Sequence, residues 1–161
     1  MNKLTILLLY LAGLVLPVCA QQNEMDRFIT DLLGKMTLQE KIGQLNQVVP
    51  GGGAVTGSGI SQGVETKIKE GKVGSMLNSP SVEYTRKAQE LAVTTTKSKI
   101  PILFGLDVIH GYKTIFPIPL ALSCSWDMDQ IERSARIAAI EASSAGVGWT
   151  FSPMADISRD P

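Results

Sequence analysis

The sequence predicts an α/β protein built on a parallel sheet. Three short apolar segments, 73–77, 102–106 and 148–151, have the length and composition of buried strands. Two longer segments between them, 81–97 and 127–145, place apolar residues at helical spacing. Strands that alternate with helices favour a parallel sheet with the helices packed outside it. The periodicity leaves open whether the sheet is doubly wound or a closed barrel, and a complete eight-stranded barrel needs about 250 residues.

Helix signals also precede the first predicted strand. Asn23 is a candidate N-cap, and Thr37 with Glu40 forms a capping box that starts a second helix. Residues 64–68 suggest a short third helix that ends at Gly71, where glycine can adopt the left-handed conformation. The apolar residues predicted to share a face are Met25, Phe28, Ile29, Leu32, Leu33 and Met36 in the first helix and Leu38, Ile42 and Leu45 in the second.

The two long helices have start and stop signals of their own. Pro80 and Ser81 mark the start of one, Asp127 caps the other, and Gly146 ends it. The residues predicted to face inward are Ala88, Leu91, Ala92 and Thr95 in the first of these helices and Ile131, Ala135, Ala138, Ala142 and Ala145 in the second, which Glu132 and Arg136 support as an i,i+4 pair.

The composition excludes several classes of protein. With 44% hydrophobic and 19% charged residues, the chain is too apolar for intrinsic disorder. Fifteen basic residues balance fifteen acidic ones, which argues against a nucleic-acid partner because such proteins carry a basic excess. Two cysteines are too few for a disulfide scaffold and form no zinc pattern. One of them, Cys124, lies near Trp126 in an apolar stretch, and we expect it to be buried.

The first twenty residues have the three-part pattern of a secretory signal peptide. Lys3 supplies a positive charge, residues 4–18 are almost wholly apolar, and Ala20 ends a short segment of small and apolar residues. The apolar run is shorter than the ~20 residues of a bilayer-spanning helix, which disfavours a membrane anchor. Lipid attachment at Cys19 is a second alternative, ranked below cleavage because the preceding valine is bulky. We therefore expect residues 1–20 to be a signal peptide and no membrane span to remain after cleavage.

Candidate functional residues follow the predicted strands, because parallel α/β folds bind ligands at the carboxyl ends of their strands. Asp107 follows the strand 102–106 directly, and its carboxylate can accept hydrogen bonds from two neighbouring hydroxyls, as a sugar ring offers. The alternative is that Asp107 only caps the next turn. His110 is the single histidine, and an Asp-x-x-His pair supplies two metal ligands where a catalytic zinc site needs three. The sequence therefore predicts no metal and no cofactor.

Arg159 and Asp160 follow the last predicted strand. They are candidates for the same edge of the sheet, and the alternative is an ion pair that only holds a loop.

Several blocks of this sequence resemble the family 3 glycoside hydrolases. Residues 36–45 resemble the opening helix of that family, and residues 73–78 resemble its first strand. The most specific block is 100–119, which contains Asp107 and His110 and resembles the periplasmic β-glucosidase branch. Residues 151–161 match a further block of the family. The resemblance therefore covers nearly all of the chain after the predicted signal peptide.

The resemblance implies the fold and the reaction. The family's first domain is a (β/α)8 TIM-type barrel, so residues 21–161 are expected to be the N-terminal portion of that barrel, which is incomplete in this chain. The family hydrolyses β-linked sugars with retention, which requires two carboxyl groups about 5–5.5 Å apart. The implied activity is hydrolysis of terminal β-D-glucosidic bonds in β-glucosides and oligosaccharides by a periplasmic enzyme.

The resemblance also implies the roles of individual residues. Asp107 matches the aspartate that holds the hydroxyls of the terminal sugar, while His110, Arg159 and Asp160 match supporting positions. The family's nucleophile and its acid/base residue lie beyond Pro161, so we expect no catalytic residue in these 161 residues and no glycosidase activity from the chain alone. Two alternatives stay open: a β-xylosidase or other glycosidase of the same family, and a non-catalytic periplasmic sugar-binding protein. The sequence makes no prediction about the oligomeric state.

Overall fold

A computed structural model describes residues 24–51 and 61–154. The chain divides into two compact units with the boundary between Lys41 and Ile42, and the described strands all belong to the second unit. The predicted signal peptide at 1–20 and the predicted N-cap Asn23 lie outside the described residues.

Helices and strands alternate along the chain. The described part of the first helix, α1, covers 24–35. The elements that follow are α2 (Leu38–Gln44), β1 (Gln47–Val48), α3 (Val64–Lys69), β2 (Ser75–Leu77), α4 (Val82–Thr95), β3 (Leu103–Leu106), α5 (Pro119–Ser123), α6 (Met128–Ser144) and β4 (Trp149–Thr150).

The predicted capping box at the start of α2 is confirmed. The backbone N–H of Glu40 donates to the Thr37 hydroxyl oxygen at 3.2 Å, and the N–H of Thr37 donates to the Glu40 carboxylate at 2.8 Å. Each side chain thus satisfies a backbone donor that the helix itself leaves without a partner. The predicted apolar spacing is present as well, but most of its residues are exposed, including Phe28 and Leu33 in α1 and Ile42 in α2.

The four strands among the described residues form one sheet in which every neighbouring pair is parallel. Their spatial order is β1-β2-β3-β4, the same as their order in the chain. A doubly wound sheet reverses its strand order at a switch point, whereas a barrel adds each new strand beside the last. The described strands therefore have the order and direction of the first part of a (β/α)8 barrel, which decides between the two architectures that the periodicity left open.

The main core lies between one face of the sheet and helices α3 and α4. Val48, Met76 and Phe104 come from three adjacent strands, and each is at most 4% exposed. Ile68 of α3 and Ala88 of α4 pack against them. Because alternate residues of a strand point to opposite faces, Leu103 lies on the other face of β3 and is half-exposed.

A smaller cluster holds α6 against the end of β3. Val108 packs with Ala138 and Ala142, and the Ala residues allow the helix to approach closely. The prediction that Ala135 faces inward is wrong, since it is exposed and lines an open apolar groove of about 650 Å³. Its neighbour Ser134 is buried in its place, and its hydroxyl is satisfied there by donating to the carbonyl of Ile131 within the helix. At the end of α4, Thr96 is likewise buried where Thr95 was expected, and its hydroxyl donates to the Ala92 carbonyl.

The predicted start signals of the two long helices are confirmed, as are the glycine stop signals after α3 and α6. The side chains of Ser81 and Asp127 accept hydrogen bonds from the N–H groups of Tyr84 and Gln130, at 3.1 and 3.0 Å. Gly146, just after α6, has φ +88°, and Gly71, just after α3, has φ +69°. The predicted i,i+4 pair is also formed, with 2.8 Å between Arg136 and Glu132.

Two elements and one further burial state differ from the sequence predictions. Strand β1 and helix α5 were not predicted, because β1 is two residues long and α5 follows a proline-containing loop. The prediction that Cys124 is buried is wrong: it follows α5, which has no buried residue, and it is exposed. Trp126, two residues later, is 91% exposed and so provides no cover for the thiol.

Among residues 24–51 and 61–154, no helix combines the length and hydrophobicity that crossing a bilayer requires.

Candidate functional site

Asp107 lies at the carboxyl edge of the sheet, as predicted from its position after a strand. It follows Leu106, the last residue of β3, and it is exposed. Because successive side chains of a strand point to opposite faces, Asp107 lies on the same face as Leu103 and Gly105. Helices α3 and α4 cover the opposite face. In a barrel, that second face and the carboxyl ends of the strands meet where substrates bind.

The backbone on both sides of Asp107 is held by β4 and by the residues directly after it. Leu106 pairs with Thr150 in the parallel ladder. On the other side, the Ser152 hydroxyl donates to the carbonyl oxygen of Val108 at 2.7 Å. Val108 itself is buried against α6. The peptide units before and after Asp107 therefore have little freedom to move, which suits a carboxylate that must meet a ligand in one orientation.

Two aromatic rings lie on the same face of the sheet as Asp107. The rings of Trp149 and Phe151 have their centroids 4.8 Å apart and are tilted by 39°. A Cβ on Gly105 would lie 3.3 Å from the Phe151 ring, so the glycine leaves the space that this ring occupies. Both aromatic residues are about 40% exposed, and the edge of the sheet thus presents a carboxylate and aromatic surface together.

His110 closes a tight loop of residues 110–116, which we call the His110 loop. Its Nδ1 lies 3.1 Å from the carbonyl oxygen of Phe116, and because a carbonyl only accepts, Nδ1 is the donor. The N–H of Phe116 donates back to the carbonyl of His110 at 2.8 Å, and Gly111 and Ile115 form an antiparallel bridge. Gly111 has φ +115°, and a Cβ there would overlap the carbonyl oxygen of Thr114. In this arrangement the imidazole of His110 holds the loop closed.

Glu141 holds the tip of the His110 loop from α6. One carboxylate oxygen accepts the N–H groups of Lys113 and Thr114, each at 2.8 Å, and the other accepts the Thr114 hydroxyl at 2.6 Å. The Thr114 hydroxyl, followed by the two N–H groups, holds the pKa of the Glu141 carboxyl below its ordinary value. Sequence reasoning did not single out Glu141, because 27 residues separate it from Thr114 and no local pattern joins them.

Asn78 is a second polar residue at this edge that sequence reasoning did not single out. It follows β2 directly, is 4% exposed and has φ +58°, a conformation that asparagine tolerates better than most residues. Its backbone N–H donates to the carbonyl oxygen of Gly105 at 3.1 Å. The available signal was its position, since a polar residue directly after a predicted strand is the pattern that identified Asp107.

The remaining predicted site residues cannot be placed here: Arg159 and Asp160 lie outside the described residues. Within the described part of the chain, no three His, Cys, Asp or Glu side chains are grouped so that they could hold a metal ion.

Comparison with known proteins extends the geometric picture. The family model "Glycosyl hydrolase family 3 N terminal domain" matches residues 37–161. The periplasmic β-glucosidase of Salmonella typhimurium is 39% identical over 136 residues, which are 84% of this chain and 17% of that protein. Two structures of the β-glucosidase of Listeria innocua, one with gluconolactone and a mutant with laminaribiose, superpose with TM-scores of 0.70 and 0.69 at 38% and 39% identity.

Each Listeria comparison covers 84% of this chain and 20% of the solved chain. The chain thus spans about a fifth of the length of the relatives it matches. The family model, by contrast, covers more than three quarters of the sequence, from the start of α2 to Pro161. This match, together with the barrel-type strand order, shows that the chain belongs to the family of glycosyl hydrolase family 3 N-terminal domains, whose fold is a TIM-type α/β barrel.

Proposed function

We propose that the complete protein containing this chain is a β-glucosidase. It removes terminal glucose from β-glucosides and β-linked oligosaccharides, with retention of configuration at the anomeric carbon. The observation that carries the proposal is the position of Asp107, an exposed carboxylate on rigid backbone at the carboxyl edge of a family 3 barrel. Relatives that are 38–39% identical support it, since they are β-glucosidases and one was solved with the β-linked disaccharide laminaribiose.

Asp107 serves as a binding residue in this proposal. Its two carboxylate oxygens accept hydrogen bonds from adjacent hydroxyls of the terminal glucose. Such contacts strengthen as the sugar distorts towards the oxocarbenium-like transition state, so they lower the barrier as well as the dissociation constant. The aromatic surface of Trp149 and Phe151 on the same face offers apolar contact for the ring. His110 supports the loop that follows Asp107. Arg159 and Asp160, outside the described residues, stay predicted supporting residues.

The chemical step needs two further carboxyl groups. A retaining glycosidase uses one as the nucleophile and one as the general acid and base. We assign neither role to a residue of this chain, and we expect the 161 residues alone to be inactive. The resemblance to family 3 supports this division of the site.

The proposed location of the protein is the periplasm. Residues 1–20 have the pattern of a secretory signal peptide, and the Salmonella relative is named as a periplasmic β-glucosidase. Mass spectrometry of the exported protein tests the proposal: a mature N-terminus at residue 21 supports it. A lipid on Cys19 would replace it with a lipoprotein, and an uncleaved N-terminus would contradict export by this route.

The activity is tested on the complete gene product with 4-nitrophenyl β-D-glucoside, its β-xyloside and its α-glucoside. We expect the highest kcat/KM on the β-glucoside and, by proton NMR of the first product, release of the β-anomer. Preference for the β-xyloside would reassign the protein within its family. Binding of glucose without hydrolysis of any of the three would show a sugar-binding protein instead.

A further inference from the structure

Three hydrogen bonds join α6 to the loop that follows Asp107. Glu141 accepts from the N–H groups of Lys113 and Thr114 and from the Thr114 hydroxyl, at 2.6 to 2.8 Å. Two consecutive backbone donors and one side-chain donor converge on a single carboxylate. Hydrogen bonds to an ionised acceptor are roughly twice as strong as neutral ones, so this carboxylate is a firm anchor for the tip of the loop.

The base of the His110 loop lies close to Asp107 in the chain. Only Val108 and Ile109 separate Asp107 from the His110 loop. The loop is closed on itself at its base by the two bonds between His110 and Phe116, so it moves as one piece. A closed loop that is fixed at its tip cannot rotate about its base, and Asp107 lies next to that base.

Apolar packing also holds the His110 loop against α6. Tyr112, within the loop, packs against the cluster of Val108, Ala138 and Ala142. Ala142 is the residue after Glu141 in α6, so one turn of this helix contacts the loop through both apolar and polar groups. Glu132 lies nine residues earlier on the same helix, and its ion pair joins it to Arg136 within that helix.

We propose that Glu141 is the positioning residue of the candidate site: by anchoring the tip of the His110 loop, it fixes the orientation of the Asp107 carboxylate towards the substrate. This inference rests on the proposed function, because it assigns Glu141 an effect on catalysis that acts through Asp107. Glu141 itself does not touch the substrate in this scheme.

The test is a double-mutant cycle in the complete gene product, with kcat/KM on 4-nitrophenyl β-D-glucoside as the measured quantity. Glu141→Ala should lower kcat/KM about 10- to 100-fold, the cost of a small displacement of a group that orients the substrate. In an Asp107→Ala background the same substitution should cost less than about twofold, because the residue it positions is gone. A role in overall folding alone would give the same loss in both backgrounds.

Two variants keep the test decisive if Glu141→Ala does not fold. Glu141→Gln should retain kcat/KM within about twofold, since its amide oxygen can accept the two N–H groups and its amide nitrogen can donate to the Thr114 hydroxyl. Thr114→Val keeps the branched shape but removes one bond, and it should lower kcat/KM about fivefold in the wild-type background only. Glu132→Ala on the same helix is the matched control and should leave kcat/KM unchanged.

The outcomes separate this inference from the proposed function. If Asp107→Ala lowers kcat/KM strongly while Glu141→Ala and Thr114→Val do not, the positioning role is overturned and the proposed site stands. Equal losses with and without Asp107 would also overturn it. If Asp107→Ala itself has no effect, the assignment of Asp107 fails, and the positioning role fails with it.

Discussion

The hydroxyl of Ser152, just past the end of β4, donates a 2.7 Å hydrogen bond to the carbonyl oxygen of Val108, just past the end of β3. The bond joins two strands beyond the point at which their ladder ends, where Leu106 pairs with Thr150. Asp107 lies between these two attachments. The rigidity of the candidate site thus comes from contacts made by its neighbours in the chain, and it can be removed without touching the carboxylate.

Ser152→Ala should loosen this edge of the sheet. The substitution removes the hydrogen bond to the carbonyl of buried Val108 and the exposed 2.9 Å hydrogen bond to the Thr150 hydroxyl. We expect a loss of about 1 kcal/mol in the free energy of unfolding. The measurement is urea unfolding of the complete gene product. Ser143→Ala is the control, because the Ser143 hydroxyl donates to the carbonyl of Ile140 within α6 and the residue is exposed. Equal free energies of unfolding for the two variants would show that the hydrogen bond between Ser152 and Val108 does not stabilise the fold.

Gly74→Ala should be strongly destabilising. A Cβ at Gly74 would overlap the carbonyl oxygen and backbone carbons of Gln44, and neither backbone can move aside without shifting α2 from β2. Overpacking of this kind costs about 1–3 kcal/mol or more. Gly34→Ala is the matched control: apart from the adjacent residues and the backbone of its own helix, nothing described lies within 4 Å of the added carbon, so alanine in this helix should stabilise by about 0.5–1 kcal/mol. Thermal unfolding of both variants checks the prediction, and a tolerated Gly74→Ala would contradict it.

Asp127→Ala should destabilise α6. The Asp127 carboxylate accepts the N–H of Gln130 at 3.0 Å, and loss of an N-cap costs about 1 kcal/mol. Asp127→Asn should cost little, since asparagine caps helices about as well as aspartate. The helix carries Glu141, so the alanine variant should also exchange the amide hydrogens of Lys113 and Thr114 faster. Hydrogen exchange followed by mass spectrometry measures this, and identical exchange in both variants would show that the cap does not secure the helix.

The stability conferred by Glu141 should depend on pH in a defined direction. Hydrogen bonds from Thr114 and Lys113, with the charge of Lys113, lower its pKa in the folded state below the ordinary value of 4.5. The ionised carboxylate therefore stabilises the fold above pH 4.5, and this stabilisation is lost as the pH falls through the folded-state pKa. Wild-type protein should exceed Glu141→Gln in urea midpoint at pH 7, and the difference should shrink towards pH 3. A difference that grows in acid would contradict the direction of the shift.

Much of the fold was predictable because its signals are local. Ser81, Asp127 and the pair of Thr37 and Glu40 start helices through contacts three residues away, and each contact is present. The three predicted strands lie within a residue or two of their observed positions for a similar reason. A run of four or five mostly apolar residues between two helices is typical of a buried strand. Strand β1 has only two residues and carries no such pattern, so its existence depends on pairing with β2.

The candidate site was predictable only in part. Position after a strand identified Asp107 and drew attention to His110, and the resemblance to family 3 added the supporting role of His110. Glu141 could not be found this way, because its partners lie 27 and 28 residues earlier in the chain. The burial of Cys124 was mispredicted for a related reason: an apolar local sequence does not determine whether a neighbouring element covers it, and here the thiol is exposed.

The role of Asp107 is tested most directly by kcat/KM of Asp107→Ala for 4-nitrophenyl β-D-glucoside in the complete gene product. Asp129→Ala, which removes an exposed carboxylate from the first turn of α6, is the control. We predict at least about a 100-fold loss for Asp107→Ala, or about 2.7 kcal/mol of transition-state stabilisation, with little change for the control. An unchanged kcat/KM in a folded Asp107→Ala protein would contradict the proposal that this carboxylate binds the terminal sugar.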